Sequence, residues 1–142
     1  MKVIISIPAY NEEKTLPPVL EEIREVMDKT DYNYQILIVN DGSTDKTVEV
    51  AKKNSAIVVS KKHSGLAETF KLEMQECLKR KANIIVHTDA DGQYHPQHIP
   101  QLIAKVEEGY DLVLGSRFKR RITHMPFLKL LGNIAFAKVI SS

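Results

Sequence analysis

The sequence predicts an α/β domain, a mostly parallel β-sheet with helices on both faces. Three observations predict it. Strand-like and helix-like stretches alternate five times along the 142 residues. The strand-like stretches are continuous apolar runs, the pattern of strands covered on both faces. The polar clusters fall where those strands end, and parallel sheets bind ligands beyond the carboxyl ends of their strands.

Each element has its own reason. Val3-Ile4-Ile5-Ser6-Ile7 reads as a buried strand ended by Pro8. Asn11 suits a helix cap, with Glu12 and Glu13 in the first turn. Leu16, Val19, Leu20, Ile23, Val26 and Met27 then recur at helical spacing. Tyr34 to Val39 is a second strand, and Asn40 to Asp45 a turn before a helix from Lys46 to Lys53. Ala56 to Val59 is a third strand. Ser64 to Lys81 is a helix with Leu66, Phe70, Met74, Cys77 and Leu78 along one stripe, expected to face the core. Asn83 to Thr88 is the fourth strand. Pro96 opens a helix carrying Ile99, Leu102, Ile103 and Val106, and Gly109 stops it. Asp111 to Gly115 reads as a fifth strand.

Composition narrows the function. The length fits one domain. A single cysteine, Cys77, forbids an internal disulfide and fits a reducing compartment. The opening apolar run is too short for a signal peptide, and no run is long enough to span a membrane. The net charge of +2 gives no case for nucleic acid. Its distribution is uneven: residues 117–142 hold six of the 20 Lys/Arg and no Asp or Glu. An acidic body carries a basic, apolar tail.

Four strand-end clusters carry the chemistry. Asp89 and Asp91 follow the fourth strand one residue apart, and share a side if the backbone stays extended. Two carboxylates suit a hard divalent cation, Mg²⁺ or Mn²⁺, and Gln93 offers a neutral oxygen. Asp41 ends the second strand, where its carboxylate suits a base N–H. Pro8 and Tyr10 offer that base an apolar wall, and Glu12 suits base or ribose donors. Ordinary turn chemistry would account for any one of these loops. Their convergence on one edge argues otherwise. Arg117, beside the expected fifth strand, suits bidentate phosphate binding. Lys61, Lys62 and His63 read as a solvated basic turn. No glycine pattern of a dinucleotide site or phosphate loop follows the first strand.

Ile7-Pro8-Ala9-Tyr10-Asn11-Glu12-Glu13, Val39-Asn40-Asp41-Gly42-Ser43-Thr44-Asp45, Asp89-Ala90-Asp91-Gly92-Gln93 and Gly115-Ser116-Arg117-Phe118 together resemble the family 2 glycosyltransferases. The branch most resembled transfers sugars to dolichyl or polyprenyl phosphates. The resemblance implies a GT-A, Rossmann-like fold and inverting transfer from a nucleotide-diphosphate sugar, GDP-mannose or a UDP-hexose. It implies that Pro8, Tyr10, Glu12, Asp41 and Asp89 bind the nucleotide. Asp89, Asp91 and Gln93 would hold the metal, with Asp91 and Arg117 as catalytic residues. Asn40 departs from the pattern, since relatives often carry Asp there. The segment from Lys61 to Phe70 follows the family only loosely. Relatives also continue where this sequence stops, so a truncated, silent nucleotide-sugar binder is one alternative, and a family 2 transferase acting on a sugar hydroxyl is another.

Two units are expected, a nucleotide-sugar-binding domain over 1–122 and an apolar, basic helix over 123–142. That helix would expose Phe127, Leu130, Leu131 and Ile134 on one face, with Lys129 and Lys138 among them. It would lie in a membrane interface, or pack on this domain or on a second copy as a homodimer. The first case places a cytoplasmic protein at the membrane face, beside a lipid-phosphate acceptor. Such an acceptor is already anionic near neutral pH and needs no strong general base.

Overall fold

The computed structural model describes residues 1–115. Four parallel strands form one sheet: β1 (Lys2–Ala9), β2 (Asn33–Asn40), β3 (Ile57–Ser60) and β4 (Ile84–His87). The helices are α1 (Leu16–Met27), α2 (Thr47–Lys53), α3 (Leu66–Lys79) and α4 (Ile99–Glu107), the last preceded by a 3-10 turn at Pro96–His98. Strand order is β3-β2-β1-β4. The chain therefore walks outward from β1 to β3, then returns to add β4 on the other side of β1.

That reversal decides where the helices lie. A right-handed crossover places its helix on opposite faces for the two walking directions. Strand side chains alternate accordingly. Val3, Ile5 and Ile7 of β1 face Leu16, Leu20 and Ile23 of α1, Ala51 of α2 and Ile103 of α4 in one buried cluster. Ile4 of β1 with Leu37 and Val39 of β2 faces the other way, onto Cys77 and Leu72 of α3. Ile5 lies opposite Ile36 on one side and Val86 on the other, so β1 is the centre of the sheet.

Three expectations change. Helix α1 begins at Leu16 with Thr15 at its cap, not at Asn11. Asn11 sits at φ 55, a left-handed conformation that asparagine tolerates, and spends its side chain elsewhere. Residues 111–115 form no strand. An apolar run becomes a strand only where a neighbour pairs its backbone. Here none does among the described residues, and Leu112 and Leu114 remain 73% and 78% exposed.

The third change concerns α3, whose orientation differs from its apolar stripe. Thr69, Glu73 and Cys77 are buried, whereas Leu66, Phe70 and Leu78 are exposed. Thr69 and Cys77 are short and let the helix approach the sheet closely. The start of α3 is fixed from outside the helix, because Asp41 holds the backbone of Ser64 and Gly65. Tertiary anchoring overrides the periodic pattern at this element.

Candidate functional site

The carboxyl ends of β1, β2 and β4 open into a cleft of about 400 Å³. It spans the point where strand order reverses, the position at which such sheets bind ligands. Pro8, Tyr10, Glu12, Asp41, Asp89 and Asp91 line it, so six of the residues singled out from sequence converge. His63, Gly65, Leu66 and Thr69 complete the wall. Gln93 is not among the lining residues, although its N–H donates to Asp91 Oδ1 at 2.9 Å. Arg117 and the 123–142 unit lie outside the described residues.

A clasp joins the two loops that follow β1 and β2. The backbone N–H of Asn11 donates to Ser43 Oγ at 3.0 Å, and Thr44 N–H donates back to Asn11 Oδ1 at 2.8 Å. Glu12 N–H donates to Thr47 Oγ1 at 2.8 Å, and Glu13 N–H to Asp45 Oδ2 at 3.1 Å. Burial would push the Asp45 carboxyl up, but hydrogen bonds from Thr47 and Glu13 outweigh it and lower its pKa. Asn11, Ser43, Asp45 and Thr47 therefore fix the backbone on which Tyr10 and Glu12 reach the cleft. Asn40 is buried and structural as well. Its amide donates to Ser60 Oγ at 3.1 Å and its oxygen accepts from Ser43 N–H at 3.0 Å.

Asp41 is the most heavily bonded carboxylate of the site. Oδ1 accepts from Lys61 Nζ and from Ser64 N–H at 3.0 Å. Oδ2 accepts from Gly65 N–H at 3.0 Å and lies 3.0 Å from His63 Nδ1. Burial pulls its pKa upward, but the Lys61 bond and the two backbone bonds win and lower it to about 2. Lys61 is thus tied to Asp41 rather than solvated, and His63, although exposed, lines the cleft. The His63 ring stacks on Tyr10, with centroids 4.3 Å apart and planes inclined by 28°. Local sequence does not reveal these contacts because they join residues twenty or more apart. The available signal was His63-Ser64-Gly65, beginning three residues after the end of β3.

Gly42 makes the close approach possible. It adopts φ 73, and a Cβ there would lie 2.7 Å from the His63 backbone nitrogen. Gly42→Ala should therefore lose about 1–3 kcal/mol from strain and displacement of the 61–65 loop. Urea unfolding checks the loss, and the Tyr10–His63 stack should loosen with it.

Past β4 the backbone turns at Ala90 and Asp91 instead of staying extended. Both carboxylates nevertheless line the same cleft, with buried Ala90 anchoring the turn between them. No cluster of three His, Cys, Asp or Glu groups gathers among the described residues. The donor set is a carboxylate pair at an open cleft. That set fits Mg²⁺ or Mn²⁺, which commonly takes one or two carboxylates and fills its shell with phosphate oxygens and water.

Below this loop, on the α3 side, His87 ends β4. Its Nδ1 lies 3.0 Å from Oε2 of Glu73, which is fully buried, and Phe70 meets its ring edge-on. The Glu73 carboxylate raises the His87 pKa against the downward pull of burial.

This architecture is of the GT-A type. The model of the glycosyl transferase family 2 matches residues 4–129, and the chain belongs to that family. An uncharacterized protein of Methanocaldococcus jannaschii, MJ1222, is 37% identical over 136 residues, 93% of this chain and 54% of that protein. The dolichyl-phosphate hexose transferase of Haloferax volcanii is 33% identical over 132 residues, 93% of this chain and 55% of that one. Among solved structures, glucosyl-3-phosphoglycerate synthase from Mycobacterium tuberculosis, in complex with Mn²⁺ and UDP-glucose, superposes with a TM-score of 0.62 at 26% identity. That likeness covers 76% of this chain and 40% of the synthase. The chain thus spans about half the length of the two curated relatives named here.

Proposed function

We propose that this chain binds a nucleotide-diphosphate sugar in the strand-end cleft and transfers the sugar, with inversion, to a polyprenyl or dolichyl phosphate. The observation that carries the reading is the convergence of Tyr10, Glu12, Asp41, Asp89 and Asp91 on one cleft at the topological switch of the sheet. Tyr10, its ring stacked on that of His63, offers an aromatic face suited to a base. Glu12 stands where it can accept from base or ribose donors. Asp89 and Asp91 would hold the cation, with Gln93 and Arg117 as further contacts to metal and phosphate. A divalent cation, when bound there, offsets negative charge on the departing nucleoside diphosphate. Relatives that carry dolichyl-phosphate and undecaprenyl-phosphate transferase names support the acceptor class.

Thermal-shift measurement with GDP-mannose and UDP-hexoses, with and without Mn²⁺, tests the donor, since a specific ligand raises the melting temperature by mass action. Transfer to a short polyprenyl phosphate then separates an enzyme from a silent binder. No sugar nucleotide raising the melting temperature would overturn the reading.

Residues 123–142 are proposed as the membrane-facing element. The full chain should sediment with anionic liposomes at low salt, less at high salt, and not after deletion of 123–142. A chain that stays in the supernatant at low salt would assign that segment to packing instead.

A further inference from the structure

Glu73 is a charged residue on the buried face of a helix, and the cleft does not account for it. Its exposure is 0%, and neither carboxylate oxygen has a directed hydrogen bond among the described residues. Its ion-pair partner is His87, at 3.0 Å. A buried carboxylate is costly unless paired, so the two side chains act as a unit. His87 is held on a second side by Phe70, whose ring meets it edge-on at a centroid distance of 5.2 Å.

The position of that unit in the fold gives it a consequence. His87 is the last residue of β4. Thr88 N–H still bonds Ser6 O at 3.1 Å, and the chain then leaves the sheet for Asp89 and Asp91. Strand pairing therefore ends at Thr88, and the carboxylate loop beyond it has no ladder to fix its direction. The Glu73–His87 contact ties α3 to the residue from which that loop departs.

We infer that Glu73 is a positioning residue, which through His87 fixes the exit of β4 and hence the separation of the Asp89 and Asp91 carboxylates for a divalent cation. The inference rests on the proposed nucleotide–metal reading of the cleft. Groups that orient metal ligands from behind typically change metal affinity 10- to 100-fold when removed.

The test uses the full chain, Mn²⁺ and UDP or GDP, whichever the wild type binds. Titration calorimetry reads nucleotide affinity without metal and Mn²⁺ affinity with nucleotide present. Glu73→Leu should leave metal-free nucleotide affinity unchanged and weaken Mn²⁺ by about 10- to 100-fold. Glu73→Gln, which keeps an acceptor for the imidazole, should restore Mn²⁺ affinity to within about threefold of wild type. If Glu73→Leu does not fold, Glu73→Leu/His87→Leu removes both members of the pair and carries the same expectation. Mn²⁺ affinity equal to wild type in either leucine variant would reduce Glu73 to a structural role and overturn the inference. A wild type that binds nucleotide but no Mn²⁺ would overturn it too. A wild type that binds neither ligand would instead overturn the proposed function.

Discussion

Asp91→Ala should remove most Mn²⁺-dependent binding of nucleoside diphosphate, lowering affinity in the presence of Mn²⁺ by at least about 10-fold. The estimate starts from the 10- to 100-fold typical of removing a group behind the ligands; losing a ligand should cost no less. Asp91 lies on the turn after β4, and one of its oxygens is occupied by the Gln93 N–H. Asp91 lines the cleft together with Asp89. Removing it leaves a single carboxylate, and the cation and diphosphate should be lost together because each supplies ligands or charge to the other. Affinity for the nucleoside alone should stay near wild type, since Tyr10, His63 and Asp41 are on other loops. Calorimetry on nucleoside and nucleoside diphosphate, each with and without Mn²⁺, separates these effects. Retention of the full metal-dependent gain by Asp91→Ala would refute the site.

Much of this site is legible in the sequence because it sits at strand ends. Apolar runs such as Val3 to Ile7 announce strands, and the polar residue that follows each run must lie at the sheet's edge. Pro8, Asp41 and Asp89 are placed by that logic alone. What stays hidden depends on contacts between distant segments. The run at 111–115 is as strand-like as the others, yet an edge strand forms only if its neighbour pairs with it. On α3, helical periodicity points Leu66, Phe70 and Leu78 inward, but the anchoring of Gly65 to Asp41 turns that stripe outward and buries Glu73. Lys61 and His63 read as a solvated turn, because nothing local reveals that Asp41 waits across the fold to bind them.

Asp41 therefore carries a stability prediction as well as a binding one. Asp41→Ala removes the counter-charge of Lys61, whose side chain is only 15% exposed and keeps Ser64 Oγ and Lys62 O as acceptors, and frees the backbone N–H groups of Ser64 and Gly65. Losing one partner of a buried, hydrogen-bonded pair typically costs several kcal/mol, and solvent near Lys61 reduces this to about 2–4 kcal/mol here. The 61–65 loop should loosen, so nucleoside and nucleoside diphosphate weaken by similar factors, with or without Mn²⁺. The wild type should also show an acid-sensitive component. The folded pKa of about 2 lies below the ordinary value of 3.8, so the native state binds fewer protons than the unfolded chain. This stability is fully present above about pH 4 and is lost as pH falls through the folded value near 2. Urea unfolding at several pH values from 6 to about 2.5 should show a steeper loss for wild type than for Asp41→Asn. If the two lose stability in parallel across that window, or if Asp41→Ala weakens nucleotide only when Mn²⁺ is present, Asp41 does not hold the base wall as assigned.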